Sequence, residues 1–118
     1  MNGLIIKKEP MDEILSGRKT WEIRGSRTTL RGPIALIQSK SGCVVGRCRL
    51  VDVVGPLSIK DMQDAAPKHR ATGVSRLPYK KTYAWVLKDA RRLRKPIPYR
   101  HRPGAVIWVK LSDSLFAR

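Results

Sequence analysis

A helical pattern that stops at Gly17 gives way to a strand pattern starting at Thr20, and this abrupt change of period constrains the chain more than any other feature. The stretch reads Gly17-Arg18-Lys19-Thr20-Trp21-Glu22-Ile23-Arg24. A short helix must therefore end against a sheet, with Lys19 at the junction and Glu22 and Arg24 on the strand. Period-2 alternation puts Thr20, Glu22 and Arg24 on one face and Trp21 and Ile23 on the other. The apolar pair suits burial against a core. The charged set must then be solvated or line a cleft, and that choice bears directly on function.

The 118 residues suffice for one core but not two, so a single domain over 1–118 is expected. Hydrophobic residues make up 42%, enough for a folded chain rather than a disordered one. Charge is the outlying quantity: 25 Lys and Arg against 9 Asp and Glu leave +16. Such an excess points to a polyanion, nucleic acid first. An anionic membrane fits less well, because no apolar run reaches the roughly 18 residues of a transmembrane helix and no basic amphipathic helix is evident. The N-terminal residues lack a secretory pattern, which predicts a cytoplasmic protein, or a nuclear one in a eukaryote. Cys43 and Cys48 make neither a disulfide framework nor a zinc site and read as reduced structural residues. Strand parity places the two thiols on opposite faces.

Along the chain, Leu4-Ile5-Ile6 reads as a buried first strand. Lys8-Glu9-Pro10 opens a helix, with Met11, Ile14 and Leu15 as its inner face and Gly17 as its left-handed stop. Gly25 to Pro33 is a loop rich in hydroxyls and arginine, either a phosphate cradle or a solvated connection. Ile34 to Ser39 is a strand, Lys40-Ser41-Gly42 a turn, and Val44 to Val54 a longer strand with Arg47 and Arg49 facing outward. Ser58 caps a helix beginning at Ile59, and the segment from Asp64 to Leu77, broken by Pro67, Gly73 and Pro78, reads as a short helix or turns and then irregular chain over one end of the sheet. Tyr83 to Leu87 is a strand with Tyr83, Trp85 and Leu87 on one face, more a core pattern than a stacking platform. Pro96-Ile97-Pro98 weakens any central strand and predicts an exposed edge or extended loop. Ala105 to Leu111 closes the domain as a final strand containing Trp108. His69 and His101 read as surface residues, with His101 the better functional candidate because it sits in a basic turn.

The positive charge is uneven. Between Lys68 and Arg102 twelve cations meet only Asp89. A density of that kind is self-repelling unless phosphates meet it.

Gly17, Lys19, Glu22 and Arg24 match the G-x-K-x-x-E-x-R motif of the ASCH domain family, which the chain resembles. The flanking blocks, among them Gly32-Pro33-Ile34-Ala35-Leu36-Ile37, Tyr83-Ala84-Trp85-Val86-Leu87 and Lys95-Pro96-Ile97-Pro98-Tyr99, follow the family order, so the resemblance covers nearly the whole chain. It implies an α+β fold: a small PUA-like β-barrel with two or three short helices packed on it and a motif-lined cleft for RNA or a nucleotide. Members differ in activity: some resemble nucleic-acid-binding coactivator modules, some metal-dependent ribonucleases, and one bacterial branch deacylates N4-acetylcytidine. That branch has a lysine matching Lys19, a threonine where this chain has Glu22, and a later glutamate. Here the lysine is present, but Glu22 replaces the threonine and the later region offers Asp89 and no glutamate, so the branch's nucleophile or activating hydroxyl has no clear counterpart.

Two chemistries fit the cluster. As a hydrolase of RNA or of a modified nucleoside, Lys19, Glu22 and Arg24 would stabilise charge and move protons, with His101 as a further proton carrier. Scattered acids offer no metal-ligand set, so no cofactor is expected, and a divalent ion enters only under the ribonuclease reading. As a binding module, Lys19 and Arg24 take phosphates or base edges and Tyr79, Tyr83 or Tyr99 stack. A basic apron of Lys80, Lys81, Arg91, Arg92, Arg94, Lys95, Arg100 and Arg102, joined by Ser26, Arg27 and Lys40, then holds the backbone. The residues favour the binding module, RNA before DNA, with a monomer as the default. A basic assembly protein of a nucleoprotein complex, using the charge without the cleft, is the remaining alternative.

Overall fold

A computed structural model describes residues 1–116. Its elements in chain order are β1 (Asn2–Ile6), α1 (Lys8–Leu15), β2 (Trp21–Arg24), β3 (Gly32–Gln38), β4 (Cys43–Val54), α2 (Ile59–Asp64), α3 (Ala66–His69), β5 (Tyr83–Pro98) and β6 (Trp108–Lys110), with a 3₁₀ turn at Asp113–Phe116. The strands form one sheet in the order β2-β5-β4-β3-β1-β6. All neighbours are antiparallel but β1 and β3, whose connection runs through α1 and β2. The sheet curls into a half-barrel, and Trp85 of β5 stacks on Trp108 of β6 with ring centroids 5.6 Å apart. This is the α+β architecture, with three short helices, that the resemblance implies.

The principal core lies inside the curl, where Leu4, Ile34, Leu36, Leu50, Trp85 and Leu87 pack against Met11 and Ile14 of α1. Helix α1 takes its place because apolar residues recur at helical spacing and Gly17, at φ 83°, ends it in a conformation that side chains disfavour. A second cluster, including Ala35, Ile37, Val44 and Val109, lies beneath Leu115 and Phe116. A third holds Leu57 and Met62 against Trp21 and Ile23, so the segment after β4 covers the apolar side of β2. Ser58 caps α2 in a reciprocal box with Asp61.

Four expectations change. Strand β5 runs on through Pro98 rather than stopping at Leu87. Past Leu87 it pairs only with β4, and the register jumps from Gly46↔Arg92 to Val44↔Ile97, so Pro96 falls in a bulge where no ladder donor is required. The last strand is shorter than Ala105 to Leu111, although Ile5 N–H to the Ile107 oxygen and Leu111 N–H to the Met1 oxygen extend its pairing by a residue at each end. Cys43 and Cys48 both pack on the core inside the curl, because Val45 bulges out of register and resets the parity between them. His69 is not a surface residue: it is 3% exposed.

Candidate nucleic-acid interface

The motif folds into a buried charge relay. Lys19 and Glu22 are only 8% and 7% exposed. The Lys19 ammonium stands 3.6 Å from Glu22 Oε1, and Glu22 Oε2 accepts from Arg24 Nε at 3.1 Å and Nη2 at 2.7 Å. Burial pushes the Lys19 ammonium below its usual range, while Glu22 pulls the other way. Lys19 also donates to the main-chain oxygen of His69 at 2.9 Å. His69 is held in turn: its Nδ1 accepts from the Ala71 N–H at 3.0 Å, so its Nε2 carries the proton donated to the Met62 oxygen at 2.6 Å. Among the described residues every buried side-chain nitrogen and oxygen has a partner. The charged face of β2 is thus neither solvated nor fully open; its inner members are paired behind a cleft.

Arg24 is the member that reaches the surface. Its Nη2 also donates to the Ile5 oxygen at 3.0 Å, a bridge from β2 to β1 across the curl, and its guanidinium lies 5.6 Å from the Trp85 ring. Four contacts fix its plane. Its Nη1 has no hydrogen-bond partner among the described residues, and Arg24 and Glu22 line a cleft of about 320 Å³ with Lys7, Ser39, Tyr79 and Val106. A fixed donor therefore sits beside a carboxylate acceptor in a space at the low end of the roughly 300–1,000 Å³ typical of ligand pockets.

The cleft continues into a groove. A hollow of about 550 Å³ shares Ile5, Ser39 and Val106 with it and adds Lys40, Tyr99 and His101. A third, of about 510 Å³, shares Tyr99 and His101 and adds Arg100, Arg102 and Lys110. Tyr99 Oη and His101 Nδ1 are 2.9 Å apart on its wall. Lys7, Lys40, Arg100, Arg102 and Lys110 form no ion pair among the described residues.

Not every residue singled out from the sequence gathers here. Arg24, Lys40, Tyr79, Tyr99, Arg100, His101 and Arg102 line the run of hollows, whereas Lys19 lies buried behind Glu22. Tyr83 is 8% exposed in the core with the Arg27 guanidinium 5.5 Å from its ring, so it offers no open stacking face. Arg27 itself donates to the Gly55 oxygen at 3.3 Å, and the Ser26 oxygen accepts from Trp85 Nε1. Lys80, Lys81 and Lys95 are exposed. Arg91, Arg92 and Arg94 line a different hollow together with Arg47 and Arg49, so the apron divides in two. Sequence reasoning missed Lys7, Ser39, Val106, Lys110 and His69. The first four meet the cleft and groove only through the parallel pairing of β1 with β3 and the return of β6, which no local pattern signals. Among the described residues no group of three or more His, Cys, Asp or Glu is placed to hold a metal ion, and no helix is long and apolar enough to cross a membrane.

A curled six-stranded half-barrel with a few short helices is an α+β fold of the PUA-like kind. The family model of the ASCH domain matches residues 4–97, and the chain belongs to the ASCH domain family. Among solved structures it is similar to an ASCH protein from Zymomonas mobilis, with a TM-score of 0.72 and 17% identity, covering 98% of this chain and 90% of that one. Two single-residue mutants of the Zymomonas mobilis protein superpose with TM-scores of 0.70 and 0.67 at 18% and 20% identity, each covering 98% of this chain and 93% and 91% of theirs. No curated protein matched the sequence.

Proposed function

We propose that this ASCH domain binds single-stranded nucleic acid, RNA before DNA, with one nucleotide in the motif cleft and the adjoining backbone along the groove. The observation that carries the reading is the fixed guanidinium of Arg24, which lines the cleft with the Glu22 carboxylate and keeps its Nη1 without a hydrogen-bond partner among the described residues. A donor next to an acceptor matches a base edge that presents the reverse pair, and Tyr79 supplies a half-open ring beside it. Cations spaced along the groove suit successive phosphates, and Tyr99 adds a second stacking surface.

Binding asks less of the cluster than catalysis does. Glu22 is committed to Lys19 and Arg24, and Lys19 does not line the cleft, so neither is free to shuttle a proton. The hydrolase reading rests instead on the Tyr99–His101 pair, an exposed proton carrier on the groove wall. One experiment separates them: wild type, Tyr79→Ala and His101→Ala incubated with a mixed single-stranded RNA across a salt series, with and without a divalent metal, following binding and cleavage together. Salt-sensitive binding of intact RNA that weakens about 10-fold in Tyr79→Ala supports the module, since stacking on one base is worth about 1–3 kcal/mol. Cleavage lost in His101→Ala overturns it in favour of a hydrolase, and absence of binding at low salt overturns both.

A further inference from the structure

We propose that the outward face of β4 and β5 is a second phosphate site, one that takes the backbone of a base-paired segment in the same nucleic acid whose unpaired nucleotide enters the cleft; it rests on the binding reading above. Arg47, Arg49, Arg91 and Arg94 of the two strands line a hollow of about 380 Å³ together with Arg92, which turns toward α1, and Asp89 is its one acid. Asp89 forms no ion pair among the described residues, and only Arg92 has an acidic partner, Asp12 at 3.3 Å.

The register makes the arrangement costly in water. Arg47 lies directly opposite Arg91, and Arg49 opposite Lys88. Like charges on facing strands repel, and a sheet ordinarily avoids them or pairs them with acids. Arg91 and Arg92 stand in unbroken register opposite Arg47 and Gly46 and so alternate: Arg91 shares the rung of Arg47, while Arg92 turns to Asp12 of α1. An anion bridging the rungs relieves the repulsion that the register builds in.

The lining also says which anion. No aromatic side chain lines this hollow, in contrast to the groove with Tyr79 and Tyr99. The Phe116 ring near Arg47 lies 5.5 Å from its guanidinium and supports it rather than opening to a ligand. Single strands are held largely by stacking, whereas base-paired helices present only phosphates and sugars to such a face. Arg47 and Arg49, two residues apart on one strand, stand about 7 Å apart. The hollow shares no lining residue with the three that form the groove, so a ligand touching both surfaces carries a helical segment and an unpaired one.

The test uses an RNA hairpin bearing a single-stranded overhang and the overhang alone, each titrated between about 50 and 200 mM salt. Three proteins are compared: wild type, a ladder variant (Arg47→Gln, Arg49→Gln, Arg91→Gln) and a groove variant (Lys40→Gln, Tyr79→Ala). The ladder variant should lose about 10-fold or more on the hairpin, with the salt slope reduced by about 2 to 3, and bind the overhang as wild type does. The groove variant should weaken on both. A ladder variant unchanged on the hairpin, or weakened equally on both RNAs, overturns the ladder while leaving the cleft reading intact. Wild type that binds the hairpin but not the overhang overturns the cleft reading and leaves the ladder standing; binding to neither overturns both.

Discussion

The Lys19 ammonium donates to the main-chain oxygen of His69, a residue 50 positions further along the chain, at 2.9 Å. This bond ties the end of α1 to the end of α3, and the Thr20 N–H, donating to the Lys68 oxygen at 2.9 Å, runs beside it. Because His69 also fastens α2 through the Met62 oxygen, the segment between β4 and β5 is held to the motif by polar as well as apolar contacts. Lys19 therefore shapes the cleft from behind.

That placement predicts a distinctive pH dependence. Burial lowers the Lys19 pKa from 10.5, against the pull of Glu22. Between the lowered folded value and 10.5 the unfolded chain binds more protons at this site, so its contribution to stability rises with pH in that window and is constant below it. The urea midpoints of wild type and Lys19→Met, measured on the alkaline side up to that value, should move apart in favour of wild type as pH rises. A pH-independent difference would mean that the ammonium is solvated.

Glu22 is the shared anion of two cations, and its removal should cost more than that of either. Glu22→Gln leaves Lys19 and Arg24 partly buried without a counter-charge, for which about 3–5 kcal/mol is expected. Arg24→Lys should be milder but not neutral, because one ammonium cannot hold Glu22, the Ile5 oxygen and the Trp85 face together. Urea denaturation of the two variants gives the ranking. Equal stabilities for wild type and Glu22→Gln would remove the relay as a structural element.

Gly46 marks where α1 meets the sheet. A methyl group there would stand 2.5 Å from Leu15 Cδ2 and 2.8 Å from the Arg91 oxygen. The leucine tip can turn aside, but the β5 backbone cannot without disturbing the Gly46↔Arg92 register. Gly46→Ala should therefore destabilise by about 1–3 kcal/mol, read from thermal or urea unfolding. An unchanged midpoint would show that β5 yields freely at its bulge.

The fold was largely legible because its signals are local. Gly17 stops a helix, Ser58 with Asp61 caps one, and Tyr83, Trp85 and Leu87 alternate into the core. The motif itself was visible, but its burial was not. Alternation placed Glu22 opposite Trp21 and gave the apolar side to the core, yet in a curled sheet both faces are covered, and the charged one lies inside the curl. His69 escaped for a related reason, since its partners Lys19 and Met62 come from two other segments. The bulge at Val45 defeated parity for the cysteines.

The two thiols differ in environment and should differ in chemistry. Burial pushes the Cys48 thiol up to about 12, so at roughly pH 8 almost none of it is thiolate, while Cys43 is only half-buried. A thiol reagent followed by peptide mass spectrometry should label Cys43 in the native protein and Cys48 only at the rate of global unfolding. Native labelling of Cys48 at the faster rate would mean that the sheet opens locally between β3 and β4.

The facing cations of β4 and β5 make a prediction that needs no nucleic acid. Arg47 and Arg91 share a register position, and a like-charge pair across strands costs about 0.2–1 kcal/mol. Arg47→Gln and Arg91→Gln should each stabilise the free protein by about that amount at 0.01 M salt, where the Debye length is about 30 Å, and by almost nothing at 1 M, where it is about 3 Å. The double variant should gain less than the sum of the singles, because either change alone relieves the same repulsion. Urea midpoints at the two ionic strengths give the comparison. Variants no more stable than wild type at low salt would mean that the guanidiniums diverge in solution and the rungs carry no stored repulsion for an anion to relieve.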